Sequence, residues 1–362
     1  MCLDHVDEPQ AASLIRIEQP GGATLAAVGS RPTITTVAER AGVSPMTVSR
    51  VLAGGKNVRP ELSRRVLEAV DELGYRRNEQ ARSLRPGQRS GLIGVAITNL
   101  ANPYYAELLL GADKITAESG RTLIIGSTDE DEAREQRLIA DFIGRQVEGL
   151  IVVPTGARRH LLPSFLGSTP LVLASRAVPG VEADTVLVAD VQASYQQTST
   201  LIREGHRRIG FLGTMTSVFT GRRRFDGFRL AHEDADVELQ HDLVRVNQLD
   251  VAAAEQAMRE LLADDDPPTA VFCANNRNAL GAVRALLAAG TERAAAIRVV
   301  SFDQFELADL LRLPITVIAH DAADLGRRAA SMLLRRISEP DQDWAPQTIE
   351  LPTRAMVYPP AG

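Results

Sequence analysis

The feature that most constrains this chain is the stretch Thr33 to Leu52, TITTVAERAGVSPMTVSRVL. Val37, Ala38 and Ala41 place apolar atoms on one side of a short helix, and Val48, Val51 and Leu52 recur at helical spacing on a second. Between them, Gly42 can take the positive φ that a sharp turn between helices requires. Ala38 lacks the bulk to hold the two helices apart. Ser44 is placed to cap the second helix, and Pro45 fits its first turn, where a missing N–H costs nothing. The stretch reads as a helix-turn-helix.

If the apolar side of the second helix faces the first, Pro45, Met46, Thr47, Ser49 and Arg50 lie at its start or on its outer side. These side chains suit an encounter with DNA. Short hydroxyls bond phosphates, an Arg fork pairs with O6 and N7 of guanine, and Met packs on a thymine methyl. A small helical hairpin with a solvated Arg and Ser face fits the same twenty residues, so the surroundings must decide.

The length of 362 residues implies two or three domains and room for a large core. Net charge is −6, yet Thr33 to Arg89 carries 11 Lys and Arg against 6 Asp and Glu, or +5, which leaves −11 for the remainder. A basic segment on an acidic body is the asymmetry of a chain that brings one end to a polyanion. The two cysteines, Cys2 and Cys273, provide neither a disulfide framework nor a Cys-based zinc site, which fits a reducing cytoplasm. Asp4, Asp7, Glu8 and Glu18 interrupt the first thirty residues, so no secretory signal is expected and residues 1–32 read as a disordered tail. With no run of about 20 apolar residues, no membrane span is expected either.

A third helix is expected over Glu61 to Leu73, with Leu62, Val66, Leu67, Val70 and Leu73 closing a small three-helix core. Gly74 stops it and Tyr75 can fold back over that core, while Arg59 makes a poor cap at its start. The following RRNEQARSLRPGQRS holds five Arg and almost no bulky apolar residue except Leu84. Two readings stand: a flexible linker, or a segment that coils only against DNA and wedges Leu84 between base steps of the minor groove.

From Gly91 the pattern changes. GLIGVAIT, RTLIIGS, GLIVVP and PLVLAS are short apolar strands separated by helical stretches such as Tyr104 to Glu118 and Glu132 to Arg145. A second series, VLVAD, RRIGFLG, LVRV, TAVFCAN and IRVVSFD, follows with helices over Ala252 to Leu262 and Ala279 to Ala289. This βαβ order predicts two parallel sheets in two lobes, with a ligand cleft beyond the carboxyl ends of the strands. Asn102-Pro103-Tyr104-Tyr105, Ser175 and Arg176, Asn275 and Asn276, and Asp303 stand at those strand ends, and Arg222, Arg223 and Arg224 open a helix after FLG. Each could instead be a solvated face or a helix cap.

No enzyme signature emerges. Gly55-Lys56-Asn57 lacks the rest of a phosphate loop, no G-x-G-x-x-G follows a strand, and His206 and His320 have no metal-ligand neighbours at the right spacing. The acidic runs Asp129 to Glu132 and Asp264 to Asp266 read as solvated. No catalytic residue, metal or cofactor is expected.

TITTVAERAGVSPMTVSRVLAG, ELGYRRNEQARSLR, NPYYAEL and the strand-helix units ending GLIVVP together resemble the lactose-repressor (LacI) family of bacterial transcription regulators, from about Thr33 to nearly the end. The resemblance implies base selection by Pro45 and Met46, with Thr47, Ser49 and Arg50 as base or phosphate contacts and Thr35, Ser44 and Asn57 as further DNA contacts. It implies a hinge helix over about Asn78 to Arg85, with Asn78, Ala81, Leu84 and Arg85 at DNA and Leu84 as the wedge. It places effector contacts on Tyr104, Tyr105, Arg224, Asn275 and Asp303, with Arg224 in RFDGF and Asp303 in VSFD matching the family's pattern, and the strand-end residues Ser175 and Arg176 are further effector-binding candidates. Ser175, Asn276 and Ala189 stand where an Asp is common, and Leu249 where an aromatic often stacks on the ligand, so the identity of the effector is open.

The expected fold class is α/β: an N-terminal three-helix helix-turn-helix head over 33–77, a hinge over 78–89, and a two-lobed, periplasmic-binding-protein-like effector and dimerisation body over 90–362. The lobes are expected to take about 90–189 plus 319–340, and about 190–318 plus 341–356. The expected function is sequence-specific regulation, as a repressor, on a near-palindromic double-stranded operator. The partners are a small-molecule effector, a sugar or related metabolite, and a second copy in a homodimer, with a tetramer as the other option. A cytosolic small-molecule binding protein whose head no longer meets DNA is the alternative.

Overall fold

The structure is a computed structural model that describes residues 32–52, 54, 58–76, 90–214, 217–306, 308–311, 313–342 and 345–358. The chain divides near residue 80 into two compact units. The expected tail over 1–32 apart from Pro32 itself, the hinge residues Asn78, Ala81, Leu84 and Arg85, and Asn57 lie outside the described residues.

The first unit is built from α1 (Ile34–Ala41), α2 (Pro45–Leu52) and α3 (Pro60–Glu72). Thr33 opens α1 with a reciprocal capping box, its Oγ1 accepting from the Thr36 N–H at 3.3 Å while its own N–H donates to Thr36 Oγ1 at 3.3 Å. Gly42 ends the helix at φ 64, and the Val43 N–H donates back to the Ala38 carbonyl at 3.0 Å. Ser44 Oγ then accepts from the Thr47 N–H at 3.2 Å, which starts α2. Val37, Ala38, Ala41, Val48, Val51, Val66 and Ala69 form the core, with Val70, Leu73 and Tyr75 packed against it. Leu67 departs from expectation and is 54% exposed. The core stripe of α3 runs Val66, Ala69, Val70, Leu73, and Leu67 lies one residue, about 100°, off it.

The second unit holds two six-stranded sheets. The first has the order β11-β5-β4-β3-β1-β2, from β1 (Leu92–Ile97), β2 (Thr122–Ser127), β3 (Gly149–Val152), β4 (Leu171–Ala174), β5 (Asp184–Val188) and β11 (Thr348–Leu351). The second has the order β12-β10-β9-β8-β6-β7, from β6 (Ile209–Leu212), β7 (Val244–Arg245), β8 (Ala270–Cys273), β9 (Arg298–Phe302), β10 (Ile315–Ala319) and β12 (Arg354–Tyr358). All pairings are parallel except β10 with β12. Continuous apolar runs such as β3 (GLIV) and β8 (AVFC) are buried along their length, as sheets covered on both faces require.

The helices between strands are α4 (Pro103–Glu118), α5 (Glu132–Gly144), α6 (Pro163–Leu166), α7 (Asp190–Arg203), α8 (Phe219–Asp234), α9 (Val251–Leu262), α10 (Asn276–Ala288), α11 (Thr291–Ala296) and α12 (Ala322–Ser338). Three pairs meet backbone to backbone at glycine. A Cβ on Gly326 of α12 would stand 1.9 Å from the Leu108 carbonyl oxygen of α4, one on Gly227 of α8 2.3 Å from the Val191 oxygen of α7, and one on Gly281 of α10 2.5 Å from the Val251 oxygen of α9.

The chain passes between the lobes three times: after β5, after β10, and between β11 and β12. The first and third passages are tied by the Ala189 N–H, which donates to the Leu351 carbonyl at 3.0 Å. The allotment of 341–356 to the second lobe holds only for β12. β11 pairs in register with β5 of the first sheet, from Thr348 opposite Thr185 to Leu351 opposite Val188. Arg336 and the Gln347 N–H both bond Asp184 at the start of β5, which draws the chain after α12 to that edge.

Candidate functional site

On the first unit, burial of Val48 and Val51 turns the opposite side of α2 outward. Met46 is 65% exposed, Ser44, Pro45 and Arg50 are exposed or nearly so, and Thr47 and Ser49 lie beside them on the same helix. Thr35 on α1 is exposed too. Arg65 of α3 donates to the Ala41 carbonyl at the end of α1, and Arg40 pairs with Glu72, so two of the unit's cations brace its helices. Arg50 is bonded to no described residue and leaves its fork available.

The second unit encloses a cavity of about 250 Å³ at the carboxyl ends of its strands. Tyr104, Tyr105, Ser175, Arg176, Arg224, Asn275 and Asp303, the seven residues singled out in the sequence, all line it. From the first lobe, Asn102 caps α4 by accepting the Tyr104 N–H at 3.1 Å, which fixes the two tyrosines in the first turn. The Tyr104 hydroxyl meets Ser175 Oγ at 2.6 Å, and the Tyr105 hydroxyl accepts from Thr98 at 2.7 Å. Ser175 holds φ 63, a left-handed conformation uncommon outside glycine. Directly after it, the Arg176 N–H donates to the Ala174 carbonyl at 2.7 Å, and Arg176 returns its guanidinium to Glu130 (2.7 Å, twice) and the Pro154 carbonyl (3.1 Å).

From the second lobe comes a buried ion cluster. Arg224 on α8 donates to Asp190 at 2.8 Å, to the Ala274 carbonyl at 2.6 Å and to Asp303 at 3.0 Å, and its guanidinium lies 3.7 Å from the centre of the Phe302 ring. Asp303 also stands at positive φ, 65, with its N–H donating to Ile318. Two strained residues at strand ends, both in the cleft, are the pattern of a site whose side chains are aimed at backbone expense. Asn275 caps α10 by accepting the Asn278 N–H at 2.8 Å, and the Asn276 amide reaches across the cleft to Asn102 Oδ1 at 2.8 Å.

The electrostatics follow from burial and partners. Burial works against the charge of Arg224, but Asp303 and Asp190 outweigh it and hold the guanidinium protonated. Burial likewise pushes the Asp190 carboxyl up, with Arg224 opposing. It pushes both tyrosines up, so each stays a neutral hydroxyl. His320, at the second passage between lobes, packs beside Tyr104 and Phe302, 3.6 Å from Asp303, and burial lowers its pKa despite that carboxylate. The cleft is therefore a set of fixed donors, acceptors and paired charges. Among the described residues no cluster of His, Cys, Asp and Glu could hold a metal ion, and no helix is long and apolar enough to cross a membrane.

Comparison with known proteins adds to this geometry. Residues 90–356 match the profile of the periplasmic binding proteins and sugar binding domain of the LacI family, and residues 33–78 that of the bacterial regulatory proteins of the lacI family. The chain belongs to the LacI family. The ribose operon repressor of Haemophilus influenzae is 29% identical over 318 residues, 88% of this chain and 96% of that one. The HTH-type transcriptional repressor PurR of Mannheimia succiniciproducens is 30% identical over 322 residues, 88% and 95% of the two chains. The lac repressor dimer bound to operator shares the fold, with a TM-score of 0.78 and 23% identity over 92% of this chain and 100% of that one. The protein is thus a DNA-binding transcriptional regulator with an effector-binding body.

In this LacI-family chain, Asp190, Glu130 and Arg277 line the cleft and escaped sequence reasoning. Asp190 ends the run VLVAD and follows Ala189, where the family resemblance leads one to expect the carboxylate. One residue later, as the first residue of α7, it is fully buried against Arg224. Glu130 was expected to be solvated, but successive left-handed residues, Asp129 at φ 51 and Glu130 at φ 60, fold the loop after β2 so that it grips Arg176. Leu249, in the place of an expected ring, lines the cleft and is 56% exposed.

Proposed function

We propose that this regulator represses transcription in the cytoplasm as a homodimer on a near-palindromic operator, with α2 of each copy reading one half-site in the major groove. The observation that carries the reading is the division of α2, whose Val48–Val51 side is sealed in the core while Met46 and an Arg50 bonded to no described residue are presented outward. Pro45 and Met46 select bases, Arg50 forks onto a guanine, and Thr35, Ser44, Thr47, Ser49 and Asn57 contact DNA around them. Asn78, Ala81, Leu84 and Arg85 form the hinge contacts, with Leu84 opening a base step in the minor groove. Two-fold symmetry of the protein then appears as two-fold symmetry in the DNA site.

The cleft binds the effector through Tyr104, Tyr105, Ser175, Arg176, Arg224, Asn275 and Asp303, and carries out no reaction on it. A sugar or related metabolite suits its size, since about 250 Å³ lies below the roughly 300–1,000 Å³ of drug-sized sites. Sequencing the fragments that the purified protein retains from its own genome tests the DNA half of the reading. We expect a shared inverted repeat among them. Retention of fragments with no common sequence would contradict it.

A further inference from the structure

Most polar groups in the cleft already have partners. Arg224 is enclosed by Asp190, Asp303 and the Ala274 carbonyl, Arg176 by Glu130 and Pro154, Tyr104 by Ser175, and Tyr105 by Thr98. Arg277 is the exception among the cations that line the cavity. It pairs with no described carboxylate, and its buried Nε has no acceptor among the described residues. It is also the second residue of α10, a 13-residue helix with no acidic residue in its first turn. The helix dipole opposes a cation there, so both burial and position leave Arg277 short of negative charge. Also lining the cavity, Asp190 bonds Arg224 through Oδ1, while its buried Oδ2 has no hydrogen-bond donor among the described residues and stands 3.8 Å from Arg223 Nε.

We propose that the cleft selects a small polyhydroxylated oxyanion, with its carboxylate or phosphate on Arg277 and a hydroxyl directed to Asp190. The inference rests on the reading of the cleft as the effector site and names the chemistry that site prefers. A neutral sugar supplies the hydroxyl for Asp190 but only an uncharged acceptor for Arg277. An oxyanion makes charge-assisted bonds to the same fork and complements the dipole of α10 as well. Leu249 strengthens the case, because a side chain without a ring removes the stacking surface on which a neutral sugar's apolar face would rest, leaving polar contacts to set affinity.

The test is calorimetry and thermal unfolding of the full chain, wild type, Arg277→Gln and Arg277→Lys, against D-glucose, D-galactose, D-gluconate, D-galacturonate, D-glucose 6-phosphate and D-galactose 6-phosphate. At least one oxyanion should bind about 10- to 100-fold more tightly than its neutral parent. Arg277→Gln should abolish that preference and Arg277→Lys should keep part of it. The acids and the phosphate esters distinguish the two oxyanion sources. Equal binding of neutral sugars, a preference that survives Arg277→Gln, or binding of none of the six overturns the proposal. The same ligands are then added to protein on operator DNA. Neutral sugars that bind as tightly as the oxyanions and change DNA affinity would overturn the charge preference alone. An oxyanion that binds without changing DNA affinity would overturn the regulatory reading alone.

Discussion

Arg50 carries the sharpest residue-scale consequence, since it stands exposed on α2 and bonds no described residue. Arg50→Ala should cost about 1–3 kcal/mol of operator affinity and relax preference at one base pair per half-site. Titration of operators varied at that pair checks it, and an equal loss on every sequence would reassign Arg50 to phosphate. His320 gives a pH signature. Burial holds its folded pKa below the ordinary 6.5, while Asp303 and Asp321 oppose that shift and Arg224 adds to it. The unfolded chain thus binds the proton more readily. The associated stability is complete above about 6.5 and is lost as pH falls through that value toward the lower folded pKa. We expect the unfolding temperature of the body to fall less between about pH 7.5 and about pH 5.5 in His320→Phe than in wild type, and parallel curves would contradict this. The residues legible in the sequence were those at strand ends, Tyr104, Ser175 and Asp303 among them, because topology alone places strand ends at the cleft. Asp190 and Glu130 were not, since a carboxylate in a polar loop reads the same whether it is solvated or bridges 46 positions to an arginine, as Glu130 does.

At the scale of elements, boundary chemistry was legible and packing partners were not. Gly42, Ser44 and Pro45 marked the turn and the start of α2 because capping is local, settled within a few residues of chain. The strands β11 and β12 went unread because they lie at sheet edges and their exposed, mixed side chains lack a buried run; β10 went unread as well, although its run ITVIA is buried throughout. Nor does a glycine inside a helix announce which backbone it will touch. Gly326 and Gly111 bring α12 and α4 together so closely that a Cβ at either would meet a carbonyl oxygen at 1.9 or 2.0 Å. Backbone cannot step aside as a side chain can. Gly326→Ala should therefore destabilise the body by at least the roughly 1–3 kcal/mol typical of overpacking, read in thermal unfolding. It should also weaken ligand binding, because α4 holds Tyr104 and Tyr105 in its first turn. Gly42→Ala belongs to the same scale. Left-handed backbone costs a side chain about 1–2 kcal/mol, and the new Cβ would stand 2.5 Å from the Arg65 guanidinium. Faster hydrogen exchange at α1 and α2 amides, with α7 and α9 unchanged, is the expected result.

For the whole molecule, the alternation of strands and helices disclosed two sheets that are parallel apart from the β10–β12 edge, and the charge contrast between +5 over residues 33–89 and −11 elsewhere disclosed which end meets DNA. The return path of the chain was harder to read, since whether residues 348–351 join one sheet or the other depends on Asp184 gathering Arg336 and the Gln347 N–H from more than 150 positions away. We expect a ligand in the cleft to act on DNA affinity through the three passages that join the lobes. Coupling of that kind is typically about 1–3 kcal/mol, or about 5- to 150-fold in affinity. Whether the protein is a ligand-tuned, sequence-specific DNA binder is read in one titration: binding of the full-length protein to its recovered operator and to a scrambled duplex of equal length, at several salt concentrations, with and without a cleft ligand. We expect the operator to bind far more tightly, log affinity to fall linearly with log salt, and the ligand to shift the operator curve within that range. Equal affinity for both duplexes, unmoved by any cleft ligand, would contradict it.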